Sequence, residues 1–180
     1  MSYLEGEKIK LVKFTEEFIT TEYIDWLNDH EITRFLYTGR IPVGISDISI
    51  LDGKDNLRFA ILAGMPLSDD NKLYNKNNYI GTVSLVRIDW IARKSEIGYM
   101  IGNKNFWGRG IASEVIKLIS EYGFNRLNLH KIEAGVVDGN IGSIKALEKN
   151  GFKEYGRIPE DYYLEGKYYD TIRFYKLQEW

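Results

Sequence analysis

The stretch Trp107-Gly108-Arg109-Gly110-Ile111-Ala112 has the residue types and spacing that point most directly to chemistry. It lies between a segment that alternates like a strand and one with helical periodicity. A helix start leaves its first N–H groups unpaired and carries about half a positive charge, so it can hold phosphate oxygens. Gly108 and Gly110 keep side chains out of the way of such a ligand, and Arg109 adds a charge-assisted contact. The ligand this pattern asks for is a pyrophosphate or similar anion; the plain alternative is a glycine connection that binds nothing. A dinucleotide site fits less well. Ser113 stands where the third glycine of G-x-G-x-x-G belongs, although Glu133 follows at about the distance of the ribose-binding acid. The G-x-x-x-x-G-K phosphate loop is absent.

Other chemistries fall away on composition. The chain has no cysteine, which removes disulfides, thiolate zinc sites and a covalent acyl-cysteine. His30 and His130 are its only histidines, and neither sits in an H-E-x-x-H or G-x-S-x-G setting, so no metal is expected. A net charge of −2 does not suit a nucleic-acid backbone. No apolar run reaches the roughly 18 residues of a membrane span, and the first residues do not read as a signal peptide. The chain therefore reads as soluble and cytoplasmic, with no membrane partner.

The elements that must position the glycine turn follow from periodicity. Residues 8–14 alternate as a half-buried strand. Thr15 reads as a helix N-cap, with Glu16 and Glu17 in the first turn and Phe18, Ile19, Tyr23, Trp26 and Leu27 at helical spacing. Short helices are expected over 30–35 and 46–51. Residues 57–63, 79–88 and 94–101 read as strands, and the polar stretch 65–78 as a loop. A helix is expected over 110–124, a strand over 129–137, and a helix over 141–149 stopped by Asn150-Gly151. Residues 152–177 read as a hairpin turning at Glu165-Gly166. Residues 1–180 thus form a single domain of the α+β (α/β layered) class, a mixed sheet covered by helices.

Several segments together resemble the GNAT acetyltransferase superfamily, in the branch typified by ribosomal-protein N-acetyltransferases. Glu96-Ile97-Gly98-Tyr99-Met100-Ile101 resembles the strand before the family's pyrophosphate turn. Trp107 to Ala112 resembles the R/Q-x-x-G-x-G/A signature, with Gly110 and Ala112 at its small positions and Trp107 in place of Arg or Gln. Asn140-Ile141-Gly142-Ser143 and Gly151-Phe152 resemble the second motif. The resemblance implies a mostly antiparallel central sheet flanked by helices, and an N-acetyltransferase that uses acetyl-CoA as cosubstrate.

In such enzymes the pyrophosphate sits on the turn, here Trp107, Gly108, Arg109, Gly110, Ile111, Ala112 and Ser113. Backbone groups of Met100 and Ile101 would pair with the pantetheine arm and place N–H groups near the thioester oxygen. Asn140 would hydrogen-bond the arm, or else simply cap a helix. Glu96, acting directly or through water, is the expected base for the incoming amine, with Asp89, Glu133 and acidic residues of the tail as alternatives, and Ser143 is the expected hydrogen-bond donor to the leaving thiolate. The family's usual tyrosine is missing, since no Tyr lies between Asn140 and Gly151. The expected acceptor is a small-molecule or peptide amine, with an amino sugar favoured, and a homodimer is compatible with this reading. The competing readings are a protein N-terminal acetyltransferase, a silent acyl-CoA-binding module, and a dinucleotide binder.

Overall fold

The computed structural model describes residues 4–48, 53–66, 72–73 and 78–179. Alternating apolar residues in the N-terminal strand β1 (Ile9–Lys13) bury Ile9 and Leu11 and leave Lys13 exposed. The helix expected from Thr15 is in fact two pieces. Thr15 makes no capping bond, and Glu16–Phe18 form one 3₁₀ turn that ends at Ile19. The chain restarts at Thr20, whose hydroxyl accepts from Tyr23 N at 3.1 Å and caps α1 (Thr21–Asn28). Two threonines compete for the cap, and the one with a bonded N–H three residues on begins the α-helix. Asp29 then accepts from Glu31 N and Ile32 N and caps the short α2 (His30–Thr33). The helix expected over 46–51 is a single 3₁₀ turn, Ile45–Asp47, while 49–51 lie outside the described residues.

β2 (Leu57–Ala63) and β6 (Lys94–Ile101) have the bounds their alternation implies, and β5 (Tyr79–Asp89) closely so. Part of the expected loop instead pairs as a two-stranded ribbon of β3 (Met65–Pro66) and β4 (Lys72–Leu73). After β6 come α3 (Ile111–Asn125), β7 (Lys131–Val137) and α4 (Ile141–Lys149). The hairpin of β8 (Lys153–Leu164) and β9 (Lys167–Leu177) closes the chain.

The main sheet has seven strands in the order β1-β2-β5-β6-β7-β9-β8. Only β6–β7 is parallel, because α3 forms the crossover between those two strands. On one face, α3 and α4 bury Val115, Ile116, Ile119 and Leu147 against Leu85, Ile97, Ile132 and Ala134. Gly123 allows this close approach, since a Cβ there would lie 2.9 Å from Ile132 Cδ1. On the other face, Phe14, Phe18, Tyr23 and Trp26 cover Ala60, Leu62, Tyr79 and Met100. That second cover stops short. Alternation places Gly98 and Gly135 on the same face beyond it, and both are exposed. The fold is thus the α+β layering expected, a mixed sheet dominated by antiparallel pairs.

Candidate active site

β6 and β7 pair only through Lys94↔Lys131, Ser95↔Ile132 and Glu96↔Glu133. Beyond Glu96 the strands part, β6 keeping its ladder to β5 and β7 its ladder to β9. Half the backbone groups of residues 97–101 therefore face a gap instead of a strand. α3 and α4 start beside this gap, and together the elements line a cleft of about 520 Å³. Its walls include Tyr99, Met100 and Ile101 of β6, the turn Trp107-Gly108 with Gly110 to Ser113, and Asn140, Ser143, Lys145 and Lys149 beside or within α4.

The glycine turn leaves an open, uncapped helix start. Gly108 and Gly110 have φ of +71° and +79°, which side chains rarely adopt. A Cβ at Gly108 would meet nothing within 4 Å, and one at Gly110 only Lys8 Nζ at 3.6 Å. Gly110 is the N-cap of α3 and supplies no side chain, so no capping group covers the first N–H donors. Lys8 reaches over from β1's approach and donates to the Arg109 carbonyl at 2.9 Å. Lys145 and Lys149 line the same cleft. These features fit the pyrophosphate of a coenzyme A. Lys8, Lys145 and Lys149 escaped sequence reasoning because lysines up to 141 positions apart carry no motif; the one available signal was the four-residue, one-turn spacing of 145 and 149.

Trp107, which replaces the family's Arg or Gln, donates its indole N–H to the Ile101 carbonyl at 2.8 Å. It braces the turn against the end of β6 and takes one acceptor site of a carbonyl expected to meet the cofactor arm. Met100 packs into the cluster under α1, so only its backbone can serve the gap. Asn140 serves as the helix cap that was one of its two expected uses. Its Oδ1 accepts from Ser143 N at 3.2 Å as the cap of α4, while its amide nitrogen makes no bond among the described residues. Ser113 lies at the back, its hydroxyl and carbonyl accepting from Asn150 at 3.0 and 2.9 Å.

Ser143 lies in the first turn of α4, and the Tyr99 hydroxyl donates to its Oγ at 2.9 Å. A tyrosine does therefore reach the cleft, but from β6 rather than from α4. Burial pushes the Tyr99 phenol above its ordinary value, and the bond to Ser143 offsets this only in part. α2 forms the opposite wall. Lys104 pins it through Asp29 at 2.8 Å and Glu31 at 2.6 Å, and the hydrogen bond from Lys104 is the main reason Asp29 lies below its usual carboxylate value.

Glu96 stands apart from this group and does not line the cleft. Arg173 grips its Oε1 and Oε2 at 3.1 and 3.2 Å, and Arg87 bonds Oε2 as well. Gly135 makes this possible, since a Cβ there would lie 2.7 Å from the Arg173 guanidinium. Burial works against the Arg173 charge, but the bonds to Glu96 and Tyr155 outweigh it and hold its pKa above the ordinary value. With these donors on its oxygens, Glu96 is arranged as an ion-pair anchor. Among the described residues no group of three or more His, Asp or Glu could hold a metal ion. Among the described residues none of the helices is long and apolar enough to cross a membrane.

Residues 8–153 match the acetyltransferase (GNAT) domain family. The N-acetyltransferase p20 of Bacillus licheniformis is 35% identical over 134 residues, which cover 74% of this chain and 68% of the relative. The spermidine N(1)-acetyltransferase of Vibrio cholerae is 36% identical over 103 residues, 57% of this chain and 59% of the relative. A structure of Vibrio cholerae spermidine N-acetyltransferase with CoA and spermine superposes with a TM-score of 0.79 over 96% of this chain and 97% of that one, at 24% identity.

Proposed function

The chain belongs to the GNAT acetyltransferase family, whose members draw on acetyl-CoA, and from that premise we propose that it acetylates a small primary amine bearing anionic or neutral polar groups, such as an amino sugar. One observation carries the choice of acceptor. On the sheet face opposite α3 and α4, where the bare glycines Gly98 and Gly135 flank the gap, carboxylates are already engaged. Arg87 and Arg173 hold Glu96, Lys131 holds Glu133, Arg34 holds Glu165, and Arg157 holds Asp138. Asp161 accepts from Tyr37 at 2.7 Å, with the Arg40 guanidinium stacked on Tyr37 and Tyr162 at 4.5 and 4.3 Å. Arg40 and Arg58 touch aromatic rings and form no ion pair among the described residues. A polycation would have to break these pairs, whereas an acceptor carrying phosphate or hydroxyl groups would find cations and neutral donors.

Acetyl-CoA supplies a thioester carbon that an amine can attack. In this reading Gly108, Gly110, Ile111, Ala112 and Ser113 hold the pyrophosphate by backbone N–H groups, aided by Arg109, Lys8, Lys145 and Lys149. The free edge of β6 at Met100 and Ile101 and the amide nitrogen of Asn140 orient the arm. N–H groups of that edge meet the carbonyl oxygen where charge develops. Gly98 leaves the acceptor a route to the gap from the opposite face, so the amine attacks directly in a ternary complex. Its proton passes to water, because Glu96 is committed to two guanidiniums. Ser143 donates to the departing sulfur.

A second reading, polyamine acetylation, has the spermidine enzymes among its relatives in its favour. CoA release measured with free amino sugars, a nucleotide-linked amino sugar, spermidine and a short peptide separates the two. The proposal expects the highest kcat/KM among the amino sugars, and a preference for spermidine would overturn it.

A further inference from the structure

We propose that Tyr99 is a positioning residue that acts through Ser143, turning the serine hydroxyl proton toward the sulfur that leaves during acyl transfer. The inference rests on the acetyl-CoA reading of the cleft. A serine hydroxyl has one proton to give and two lone pairs. In this cleft the Tyr99 hydroxyl lies 2.9 Å from Ser143 Oγ, and both residues line the space between β6 and α4. The Ser143 N–H is already committed to Asn140 Oδ1, which fixes the first turn of α4 and so the position of Oγ.

The direction of the Tyr99–Ser143 bond decides what Ser143 can do. The Tyr99 O–H has Ser143 Oγ, at 2.9 Å, as its one acceptor among the described residues, so the enclosed phenol donates there. Ser143 Oγ then accepts, and its own proton points elsewhere, with no protein acceptor among the described residues. The cleft is where that proton can be used. Accepting one hydrogen bond also strengthens the next one given, and the N-terminus of α4, a nine-residue helix, adds positive potential at the same place. The acyl-transfer step balances without consuming either hydroxyl. The amine lone pair forms the C–N bond, the C–S pair departs with sulfur, and the Ser143 O–H hydrogen-bonds to that thiolate. The proton shed by the amine neutralises the thiolate through solvent.

The alternative for Tyr99 is a strut that pins α4 to β6 and has no influence on the sulfur. The two can be told apart without turnover, because the chain has no cysteine and thiolate absorbance near 240 nm in a CoA complex reports the ligand alone once the apoprotein is subtracted. We expect the thiol of bound CoA to titrate below the ordinary thiol value of about 8.5. Tyr99→Phe should raise it by roughly half a unit to one unit, a three- to tenfold loss in line with one neutral hydrogen bond. Ser143→Ala should raise it at least as far, and adding Tyr99→Phe to Ser143→Ala should change nothing more. In acetyl transfer, kcat should fall by the same factor with the KM for acetyl-CoA unchanged. An unmoved thiol in Tyr99→Phe overturns the proposal, as does an undiminished Tyr99 effect in the Ser143→Ala background. A wild-type protein that fails to bind CoA would instead remove the cofactor reading beneath it.

Discussion

Glu96→Gln tests the division of labour between the arginine clamp and the chemistry. Gln keeps the volume of Glu but replaces one acceptor oxygen with an NH₂ group, which must then face guanidinium donors. The Arg87 arm is 71% exposed on the arginine side, and exposed pairs contribute about 0–1 kcal/mol. The Arg173 arm is enclosed, at 21% and 18% side-chain exposure, and bidentate. Hydrogen bonds to charged groups contribute about 1.5–3 kcal/mol net, so the substitution should cost about 2 kcal/mol. At about 2–4 °C per kcal/mol for a chain of this size, the melting temperature should fall by about 4–8 °C. On the proposed mechanism, in which water takes the amine's proton, activity should change only a few-fold. Were Glu96 the base, kcat would drop by roughly 10² or more at neutral pH and recover as the pH approached the amine's own value of about 10.4. Melting curves and pH–rate profiles of both proteins decide between these outcomes. An unchanged melting temperature combined with a large, alkali-rescued loss of kcat would refute the clamp.

Other perturbations probe the remaining parts. Gly98→Val should raise the acceptor KM several-fold while leaving the CoA dissociation constant within twofold by calorimetry, because the proposal assigns the bare sheet face at 98 to the acceptor alone. CoA at a hundred times its dissociation constant should stabilise the fold by about 2.7 kcal/mol; Gly110→Val, which strains a residue at φ +79°, should weaken CoA binding at least tenfold and lower the melting temperature. Tyr79→Phe should leave stability at neutral pH unchanged or raised, since the Tyr79 hydroxyl is buried without a partner. Burial, with a smaller contribution from Tyr23, raises the Tyr79 pKa, so only the unfolded chain ionises readily and stability falls as pH climbs past about 10. Urea titrations at rising pH should show a shallower alkaline decline in Tyr79→Phe than in the wild type.

Much of this architecture was legible because local signals agreed with the tertiary ones. β2, β6 and α4 fall where alternation, the Asn140 cap and Asn150-Gly151 place them. The start of α1 was not legible, because Thr15 and Thr20 are equivalent in sequence and only packing distinguishes them. The candidate site at the gap was legible in its local half. Gly110, Asn140 and Ser143 announce themselves by motif, whereas their partners lie far off in the chain. Tyr99 and Ser143 are 44 positions apart, and Glu96 and Arg173 are 77 apart. No periodicity encodes such a meeting, and Glu96 viewed alone on its strand looks like a free carboxylate. One sequence signal did bear on it. Gly135 interrupts the apolar strand Lys131–Val137, and a glycine inside a strand commonly marks a close approach by another group. Here that group is the Arg173 guanidinium, crossing β7 through the space a side chain would have filled. The missing Cβ on β7 is thus what lets Arg173 reach Glu96 on β6.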